Sequence, residues 1–458
     1  MKALTALLVL ATSLIPAHAA AVAGSHVALG SPTTLQQFDA LASRGAPKEK
    51  DDWGNAVEKD RKKVTVRASK DDKDDISDDF LSAIKKANKG GMVHLKKGHK
   101  YVIGKKLDLT FLDDIYVKID GELKACISTE TVFTNDIKYW QANNFYYDFQ
   151  KSITFAVWGG KNIKVYGSGV INGNGQAWWD GFSGAEILDP KNKYLRPILF
   201  LTDNATNIEV SGLHLKDSPC WTTFFVRSKN VVFDNIYIDA VSTNASSLPK
   251  NTDGFDSLNV DGLTVTNTRV NVGDDCFSPK PNTTNIFVKN LWCNGTHGVS
   301  MGSIGQYPGV KDYISNAWLE NITLLNGQNG ARLKAWAGPN VGYGYIDNIT
   351  YKNVYIENTD APIVLDQCYF NVNETTCAKY PSQVNITNVN FINVHGSSSG
   401  KAGNVVADLT CSPGATCDGI HLEGINLTSP KGGKPVVVCE NIKGDIGIPC
   451  VSANSTVA

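Results

Sequence analysis

A short pattern of alternating apolar and polar residues, closed by glycine or asparagine, recurs along most of this chain. Ile163-Lys-Val165-Tyr-Gly167 is one copy, and Leu263-Thr-Val265-Thr-Asn267 is another. Aligned on the closing residue, the copies end at positions 167, 212, 235, 267, 290, 316, 348, 388 and 424, and the shortest steps are 23 residues. Self-similarity at a fixed period of this length is typical of a solenoid.

The residue types in the repeat indicate which kind of solenoid forms. Valine and isoleucine at alternate positions favour strands, and asparagine or glycine favours a tight turn after each strand. Because successive copies run in the same direction, their strands pair in parallel, and the turn asparagines stack as a ladder inside the coil. A β-sandwich also has many short strands, but it lacks a fixed repeat of this length. We therefore predict an all-β fold, a right-handed parallel β-helix, as one domain over residues 63–458.

The N-terminal region has the features of a secretory signal. A lysine at position 2 precedes an apolar run over residues 4–15, and Ala17-His18-Ala19 is a small-x-small cleavage site. The apolar run is too short to span a bilayer. We expect a signal peptide at residues 1–19, an extension at 20–62, and then a short helix, capped by Ser77, that covers the open end of the coil.

Secretion makes disulfides and glycans the expected modifications. Close cysteines predict the pairs Cys276–Cys293, Cys368–Cys377, Cys411–Cys417 and Cys439–Cys450. Cys126 and Cys220 are left either to pair with each other or to remain thiols. Candidate glycosylation sites are the Asn-x-Ser/Thr positions Asn204, Asn244, Asn282, Asn294, Asn321, Asn348, Asn373, Asn385, Asn426 and Asn454. The cysteine spacing does not favour a metal site, because no paired CxxC occurs.

The net charge of -1 excludes a global field that would attract nucleic acid or an anionic membrane. Any attraction for a charged substrate must therefore come from local groups. A groove along a solenoid suits a long polymer. We expect a monomer with no nucleic-acid or membrane partner.

Three acids and a histidine recur at the interval of one coil. Asp253 and Asp274 are 21 residues apart, and Asp275 and His297 are 22 apart. Since neighbouring strands lie about 4.8 Å apart, these side chains should stack on one face. Carboxylates this close cannot all ionise cheaply, so the pKa of one should rise. Glycosidic bond cleavage requires one proton donor and one group that activates water.

Two cations follow the acids on the same predicted face. Arg332 and Lys334 alternate on a strand, and their side chains therefore point the same way. An arginine fork suits a carboxylate, and a lysine adds a point charge. Cations beside three acids indicate a substrate that carries its own negative charge, such as an acidic sugar.

Four motifs in this order resemble the signatures of the polygalacturonase family, glycoside hydrolase family 28. They are Asn251-Thr-Asp253, Gly273-Asp274-Asp275, His297-Gly298 and Arg332-x-Lys334. The resemblance implies a parallel β-helix that hydrolyses galacturonan with inversion and without a cofactor or metal. It implies the following roles: Asp274 as general acid, Asp253 and Asp275 as activators of water, His297 as support for the acid, and Arg332, Lys334 and Asn251 as substrate binders.

Further segments resemble exo-acting fungal members of the family. They are residues 139–143, 173–179 and 302–307, and they imply removal of single sugars from the non-reducing end. Long insertions, among them 173–205 and 298–312, are expected to close the cleft. Tyr369 is a candidate for stacking on a sugar, as are Trp178, Trp179 and Trp221. The implied partner is an acidic plant cell-wall polysaccharide, homogalacturonan or a related pectin.

Other functions remain open at this point. An exo-acting hydrolase of rhamnogalacturonan or xylogalacturonan would carry the same motifs. A β-helical pectate lyase would need calcium and would give an unsaturated product, and a non-catalytic solenoid would only bind carbohydrate. Product analysis on the different pectin backbones distinguishes these alternatives.

Overall fold

The computed structural model describes residues 58–120, 137–182, 196–370 and 373–453, together with the backbone of residues 122–125. The predicted signal peptide, most of the predicted extension, Cys126 and Asn454 lie outside the described residues. No helix in these ranges is long and apolar enough to cross a membrane.

Strands dominate the described part of the chain. The strands are β1 Lys62–Thr65, β2 Gly91–Leu95, β3 Lys100–Ile103, β4 Leu107–Ile119, β5 Glu122–Ala125, β6 Phe145–Tyr147, β7 Ser152–Thr154, β8 Ala156–Tyr166, β9 Val170–Asn172, β10 Pro197–Ile198, β11 Phe200–Ser211, β12 His214–Lys216, β13 Thr223–Val226, β14 Lys229–Asp234, β15 Tyr237–Asp239, β16 Phe255–Leu258, β17 Val260–Asn271, β18 Phe277–Pro279, β19 Thr283–Asn294, β20 Val299–Ile304, β21 Lys311–Leu325, β22 Asn329–Trp336, β23 Tyr343–Thr359, β24 Ala361–Tyr369, β25 Gln383–Ser398, β26 Val405–Thr410, β27 Cys417–Glu423, β28 Asn426–Thr428 and β29 Val436–Glu440. The α-helices are α1 Ser77–Ala87, α2 Ile137–Ala142, α3 Gln176–Phe182 and α4 Glu374–Lys379, and short 3-10 turns occupy Glu58–Asp60 and Phe149–Lys151.

Parallel pairing between successive coils joins 26 of these strands into one continuous sheet that winds through the domain. Strand β19, for example, pairs in parallel with β17 on one side and with β21 on the other. The predicted right-handed parallel β-helix is confirmed, and right-handed crossovers are the rule for parallel strands.

The core consists of side chains stacked in columns inside the coil. One column runs through Val265, Val288, Leu319, Tyr351 and Phe391, which the strand register places opposite one another. All five are fully buried, and the last two rings stack with centroids 5.4 Å apart. Burial of such side chains stabilises the fold by about 1.5–3 kcal/mol each. Since each repeat places a residue in the same buried column, that position in the repeat is apolar.

Asparagine ladders form at the turns, as the repeat predicts, although one part of the predicted alignment was wrong. The amide of Asn290 donates to Asn267, and the amide of Asn321 donates to Asn290. Asn316, however, donates to Asn285 and belongs to a second ladder. The error arose because each coil has several turns that end in asparagine, and the sequence alone does not show which of them align. The second ladder lies at a corner of the coil and not inside it, since Asn285 and Asn316 are exposed.

Helix α1 covers the N-terminal part of the coil, as predicted. It buries Phe80 and Ile84 against the core. The predicted N-cap was wrong, because Ser77 is the first helical residue and no side chain caps this helix. The Ser77 hydroxyl instead donates to Asp75 and accepts from the backbone N–H of Gly104. It therefore ties the start of the helix to the turn between β3 and β4.

Four disulfides are present in the described residues, Cys276–Cys293, Cys368–Cys377, Cys411–Cys417 and Cys439–Cys450. Cys220 is buried and has no disulfide to a described cysteine.

Among the described candidate glycosylation sites, Asn321 is buried and its amide is engaged in the ladder. Its burial argues against a glycan at that position. The exposed ones are Asn204, Asn244, Asn348, Asn373, Asn385 and Asn426.

A small second sheet, which the sequence did not reveal, crosses over the coil. Strand β7 pairs in parallel with β10 and antiparallel with β6. We call residues 145–154, which contain β6, the second 3-10 turn and β7, the strap. Its aromatic residues pack on a separate apolar cluster that includes Trp221 and Phe224. The strap is thus held against the outside of strand β13.

Candidate active site

The four predicted motifs meet at one edge of a single face of the coil. Asp253 lies just before strand β16, Asp275 just before β18 and His297 just before β20. Arg332 and Lys334 lie within β22. These strands pair in order, β16 with β18, β18 with β20 and β20 with β22. One carboxylate oxygen from each of Asp253, Asp274 and Asp275 lies within 4.8 Å of the others.

Thr296 and its neighbours fix the turn that carries the acids. The Thr296 hydroxyl accepts from the backbone N–H of Cys276 and of Gly298, and it donates to the carbonyl of Asp274 at 2.9 Å. Gly298 has φ +132°, and a Cβ there would lie 2.9 Å from the carbonyl oxygen of Gly330. A side chain at this position would therefore displace His297 from the acids. The Cys276–Cys293 bridge, with Cα atoms 6.0 Å apart, ties the start of this coil to its end.

Asp274 lies at the mouth of the cluster between His297 and Asn251. Its Oδ1 is 3.1 Å from His297 Nδ1, and its Oδ2 accepts from the Asn251 amide at 3.4 Å. Burial alone would favour the neutral acid, but the hydrogen bond and the charge of His297 outweigh it and hold the pKa of Asp274 below its usual value. Burial likewise opposes the charge on His297, yet Asp274 raises the pKa of the imidazole.

Asp275 is buried and is paired with a lysine. Its carboxylate contacts Lys334 Nζ, and the two side chains are 2% and 5% exposed. The Ser300 hydroxyl donates to the other oxygen at 2.8 Å. Burial raises the pKa of Asp275, but the charge of Lys334, followed by those of Lys280 and Arg332, lowers it well below its usual range. Asp275 is therefore held in its ionised form.

Asp253 carries the raised pKa that the close spacing of the acids predicts. Burial is the largest cause that raises the pKa of Asp253. The charges of Asp256, Asp274 and Asp275 raise the pKa further, while Lys280 opposes them. The proton donor that the family resemblance assigns is Asp274, however, and its pKa is lowered in the free protein. Because the acids lie so close together, a proton bound by the cluster belongs to the group as a whole.

The two predicted carboxylate binders lie beside an aromatic ring. Tyr369 is half-buried, and its ring centroid lies 5.2 Å from the guanidinium carbon of Arg332 and 5.3 Å from Lys334 Nζ. Arg332 also donates to Asp366 at 3.3 Å, and its Nε is buried without a partner among the described residues. The ring therefore orients the two cations, and the Arg332 side chain is 15% exposed, so its guanidinium can bind a ligand.

Sequence reasoning missed several residues of this site. Asp256, Ser278 and Ser300 occupy one register column with Arg332, and steps of one coil from Arg332 would have found them. Arg196 could not have been found in this way. The buried guanidinium of Arg196 donates to the side-chain oxygen of Asn251 at 2.6 Å, and this contact joins distant parts of the chain.

An aromatic wall closes the face at its N-terminal side. We use the term wall for Phe149 of the strap, Trp221 and Phe224 beside β13, and Tyr307 from the segment after β20. The Phe149 ring lies 5.9 Å from Phe224, 6.5 Å from Trp221 and 5.9 Å from Tyr307. The Tyr307 hydroxyl also accepts from the backbone N–H of Gln150 at 3.1 Å. Two distant segments thus meet over the coil.

The wall lies one rung before the acids. Strand β13 pairs with β16, and the backbone N–H of Thr222 donates to the carbonyl of Asp253 at 2.7 Å. Arg332 lies on the opposite side of the acids, two strands further along. The face is therefore open towards Arg332 and closed behind Asp253. Of the other aromatic candidates, Trp178 and Trp179 are fully buried and cannot stack on a sugar.

The three acids also form the one cluster in the described residues with the spacing of a metal site. Two lysines already balance their charge, because Lys334 contacts Asp275 and Lys280 lies 3.5 Å from Asp253. A divalent cation bound by these acids would lie close to two ammonium groups, and their charge disfavours it. The arrangement suits acid–base chemistry, because Asp275 is held ionised, the pKa of Asp253 is raised and Asp274 lies at the mouth.

Comparisons with known proteins agree with this geometry. Residues 95–453 match the model of the glycosyl hydrolases family 28. A probable exopolygalacturonase B of Neosartorya fischeri is 68% identical over 395 residues, which cover 86% of this chain and 85% of that protein. Among solved structures, an endo-xylogalacturonan hydrolase from Aspergillus tubingensis superposes with a TM-score of 0.76 at 29% identity, covering 85% of this chain and 99% of that one. A polygalacturonase from Erwinia carotovora shares the fold, with a TM-score of 0.65 at 18% identity over 85% of this chain and 98% of that one.

Proposed function

This chain belongs to the glycosyl hydrolases family 28, and from that premise we propose that it removes single galacturonate units from the non-reducing end of pectic polygalacturonan. The observation that carries the proposal is the arrangement of one face: a wall, then three acids, then two cations. A galacturonate fits on each side of Asp274. The terminal sugar lies between the wall and the acids, and the next sugar lies over Arg332 and Lys334.

Substrate binding uses the cations on the open side. The guanidinium of Arg332 is part of a side chain that is 15% exposed and can bind a carboxylate, while the charge of Lys334 beneath it adds to the attraction. Tyr369 holds both cations in place and lies within reach of the same sugar. Asn251 contacts Asp274, and we assign it to the orientation of that acid as well as to binding.

Bond cleavage needs a proton on Asp274 and a water activated by the buried acids. Asp274 lies at the mouth, 17% exposed, where the glycosidic oxygen can reach it. A bound galacturonate excludes water and adds a negative charge, and both effects raise the pKa of Asp274. Asp253 and Asp275 then orient a water and take its proton as it attacks the anomeric carbon. His297 remains hydrogen-bonded to Asp274 and fixes its orientation.

Direct attack by water predicts inversion at the anomeric carbon. Inverting enzymes generally separate their two carboxyl groups by about 6.5–9.5 Å, and retaining enzymes by about 5–5.5 Å. The cluster here has oxygens within 4.8 Å, so the separation alone would suggest retention. We favour inversion because both buried acids are engaged by lysines, which stabilise them as carboxylates and weaken them as nucleophiles.

Secretion, a monomeric state and the absence of nucleic-acid and membrane partners are further parts of the proposal. The signal-like residues 1–19, the disulfides and the exposed sequons support an extracellular enzyme that acts on plant cell-wall pectin. The predicted domain over residues 63–458 is consistent with strands that continue from Lys62 to Glu440.

Product analysis on polygalacturonic acid tests the function directly. We expect monomeric galacturonate from the earliest time points, because the wall lies one strand before the acids and would block further sugars beyond the terminal one. The viscosity of the solution should fall little while reducing ends accumulate. Release of sugar from rhamnogalacturonan but not from polygalacturonic acid would overturn the substrate assignment, and an unsaturated product would indicate a lyase.

Opening the wall should change the product pattern. In Tyr307→Ala the ring contact with Phe149 and the hydrogen bond from Gln150 are lost. We expect oligogalacturonates to appear beside the monomer and kcat for monomer release to fall about 10-fold, since the terminal sugar is held less well. Tyr343→Ala, which removes a 44% exposed tyrosine elsewhere, is the matched control. A Tyr307→Ala enzyme that still releases only monomer would show that the wall does not set the exo mode.

A xylogalacturonan backbone is the second candidate substrate. The 29% identity to an endo-xylogalacturonan hydrolase favours testing it. Xylose branches enlarge the substrate at each galacturonate, and the wall leaves little room for a branch on the terminal unit. We therefore expect slower release from xylogalacturonan than from the unbranched polymer.

A further inference from the structure

A second buried ion pair lies directly behind the three acids. Lys280 Nζ is 2.9 Å from Asp256 Oδ1 and 3.5 Å from Asp253 Oδ2. The residues Asp256 and Lys280 are 0% and 5% exposed, so neither can contact a polymer in the cleft. Neither belongs to the four signature motifs, and the reaction described above does not use them.

The Lys280 ammonium is held in a fixed position. It donates to the Ser278 hydroxyl at 2.8 Å, and that hydroxyl donates to the carbonyl of Gly302 at 2.6 Å. The Trp221 ring lies 5.3 Å from the same ammonium and separates it from the open face. The charge is therefore directed at the two carboxylates in front of it, Asp253 and Asp256.

Asp256 depends on this ammonium much more than a buried carboxylate usually does. Neither of its oxygens accepts a well-aligned hydrogen bond from a described residue, so its one close polar contact is the ionic one. Buried pairs of this kind are seldom favourable to stability in comparison with apolar packing. A role at the neighbouring acids gives a physical reason for the pair.

We propose that Lys280 and Asp256 are positioning residues that set the ionisation of Asp253, with Asp256 competing with Asp253 for the charge of Lys280. The inference rests on the proposed function, in which Asp253 must be ionised to activate water. When Asp256 is neutral, the ammonium acts on Asp253 alone and favours its carboxylate. When Asp256 is charged, it shares the ammonium and also repels Asp253.

The surroundings of the pair agree with this competition. Burial and the opposing effect of Lys280 together leave the pKa of Asp256 at about 7. Burial opposes the charge on Lys280, but Asp256 and Asp253 raise its pKa further above the usual value. Lys280 is thus cationic throughout the working range, and the proton that the two acids take up as the pH falls is shared between Asp253 and Asp256.

The other charged and titratable groups that face the pair are Asp275, Lys334, Asp274 with its partner His297, and the thiol of Cys220. Asp275 is compensated by Lys334, and Asp274 by His297. Burial raises the pKa of the Cys220 thiol to about 11, so it stays neutral. Lys280 is therefore the cation that remains for Asp253. Asp256 competes with Asp253 for this cation, so removing the charge of Asp256 leaves the ammonium to Asp253 alone.

The test is the pH dependence of kcat/KM on polygalacturonic acid, since the acid limb of that profile reports the pKa of the base in the free enzyme. In Lys280→Met the base loses its cation, so its pKa rises and the acid limb should move to higher pH by about one unit. In Asp256→Asn the ammonium acts on Asp253 alone, so the limb should move about one unit to lower pH. Lys280→Arg restores the charge and should return the limb towards the wild-type position.

A purely structural role would lower activity equally at every pH and leave the limb where it is. That result, or shifts of the same sign in Lys280→Met and Asp256→Asn, would overturn the inference. Lys229→Met, which removes an exposed lysine 3.6 Å from Asp261, is the matched control and should leave the profile unchanged. If Lys280→Met does not fold, the direction of the shift in Asp256→Asn, with Lys280→Arg unshifted, decides the question.

The wild-type enzyme separates this inference from the proposed function. If the wild type does not hydrolyse polygalacturonic acid, the proposed function fails. If it does and the acid limb is unmoved in the variants, the role of the Lys280–Asp256 pair fails alone.

Discussion

Asp274→Asn is expected to lower kcat on polygalacturonic acid by about 10²- to 10⁴-fold, the usual contribution of a positioned general acid. Asparagine has the same shape but cannot give a proton to the leaving sugar. The protein should still fold, because the amide oxygen can accept the backbone N–H of Asp275, now 2.8 Å from Asp274 Oδ1. Kinetics of reducing-end release measure the loss, and thermal unfolding verifies the fold.

An activated substrate distinguishes proton donation from a structural role of Asp274. A galacturonide whose leaving group needs no proton should lose far less rate in Asp274→Asn than the polymer does. Asp261→Asn, at a half-buried acid that pairs with Lys229, is the matched control and should retain activity on both substrates. Full activity of Asp274→Asn on the polymer would rule out the proposed mechanism.

The sequence predicted the fold because its main determinant is periodic. Alternating apolar residues at a fixed step specify both the strands and the columns that they fill, such as the one through Val288 and Leu319. The same step predicted that the acids meet. It did not predict which asparagines align, since Asn290 and Asn316 both follow an alternating apolar segment yet belong to different ladders. Register between coils depends on insertions whose length the repeat does not reveal.

The parts of the site that the sequence did not reveal come from contacts between distant segments. The wall joins Phe149 to Tyr307, and no local pattern marks either residue. The Lys280–Asp256 pair could in principle have been found from the sequence, since steps of one coil align Asp256 with Arg332 through Ser278 and Ser300. The distribution of charge among the acids could not be predicted from the sequence, because it depends on which cation contacts which acid inside a buried cluster.

Lys334→Met is expected to reduce both stability and activity. Removal of the ammonium leaves Asp275 buried beside Asp253 and Asp274 without its main counter-charge. Breaking a buried pair in this way costs about 3–5 kcal/mol in the free energy of unfolding. The substrate also loses one of its two cations, and kcat/KM should fall about 10²- to 10³-fold, as when one charge-stabilising donor is removed. Denaturant unfolding and initial rates measure the two effects separately.

The double variant Asp275→Asn/Lys334→Met separates stability from catalysis. With both charges gone, no uncompensated charge remains buried, so the free energy of unfolding should return most of the way to the wild-type value. Activity should stay low, because the group that activates water has been lost together with the cation. Lys334→Arg, which keeps the charge, should lie between wild type and Lys334→Met in both measurements. The double variant could instead prove no more stable than Lys334→Met. Lys334 would then stabilise the coil by packing, and its ion pair with Asp275 would not be what holds the ionised acid in place.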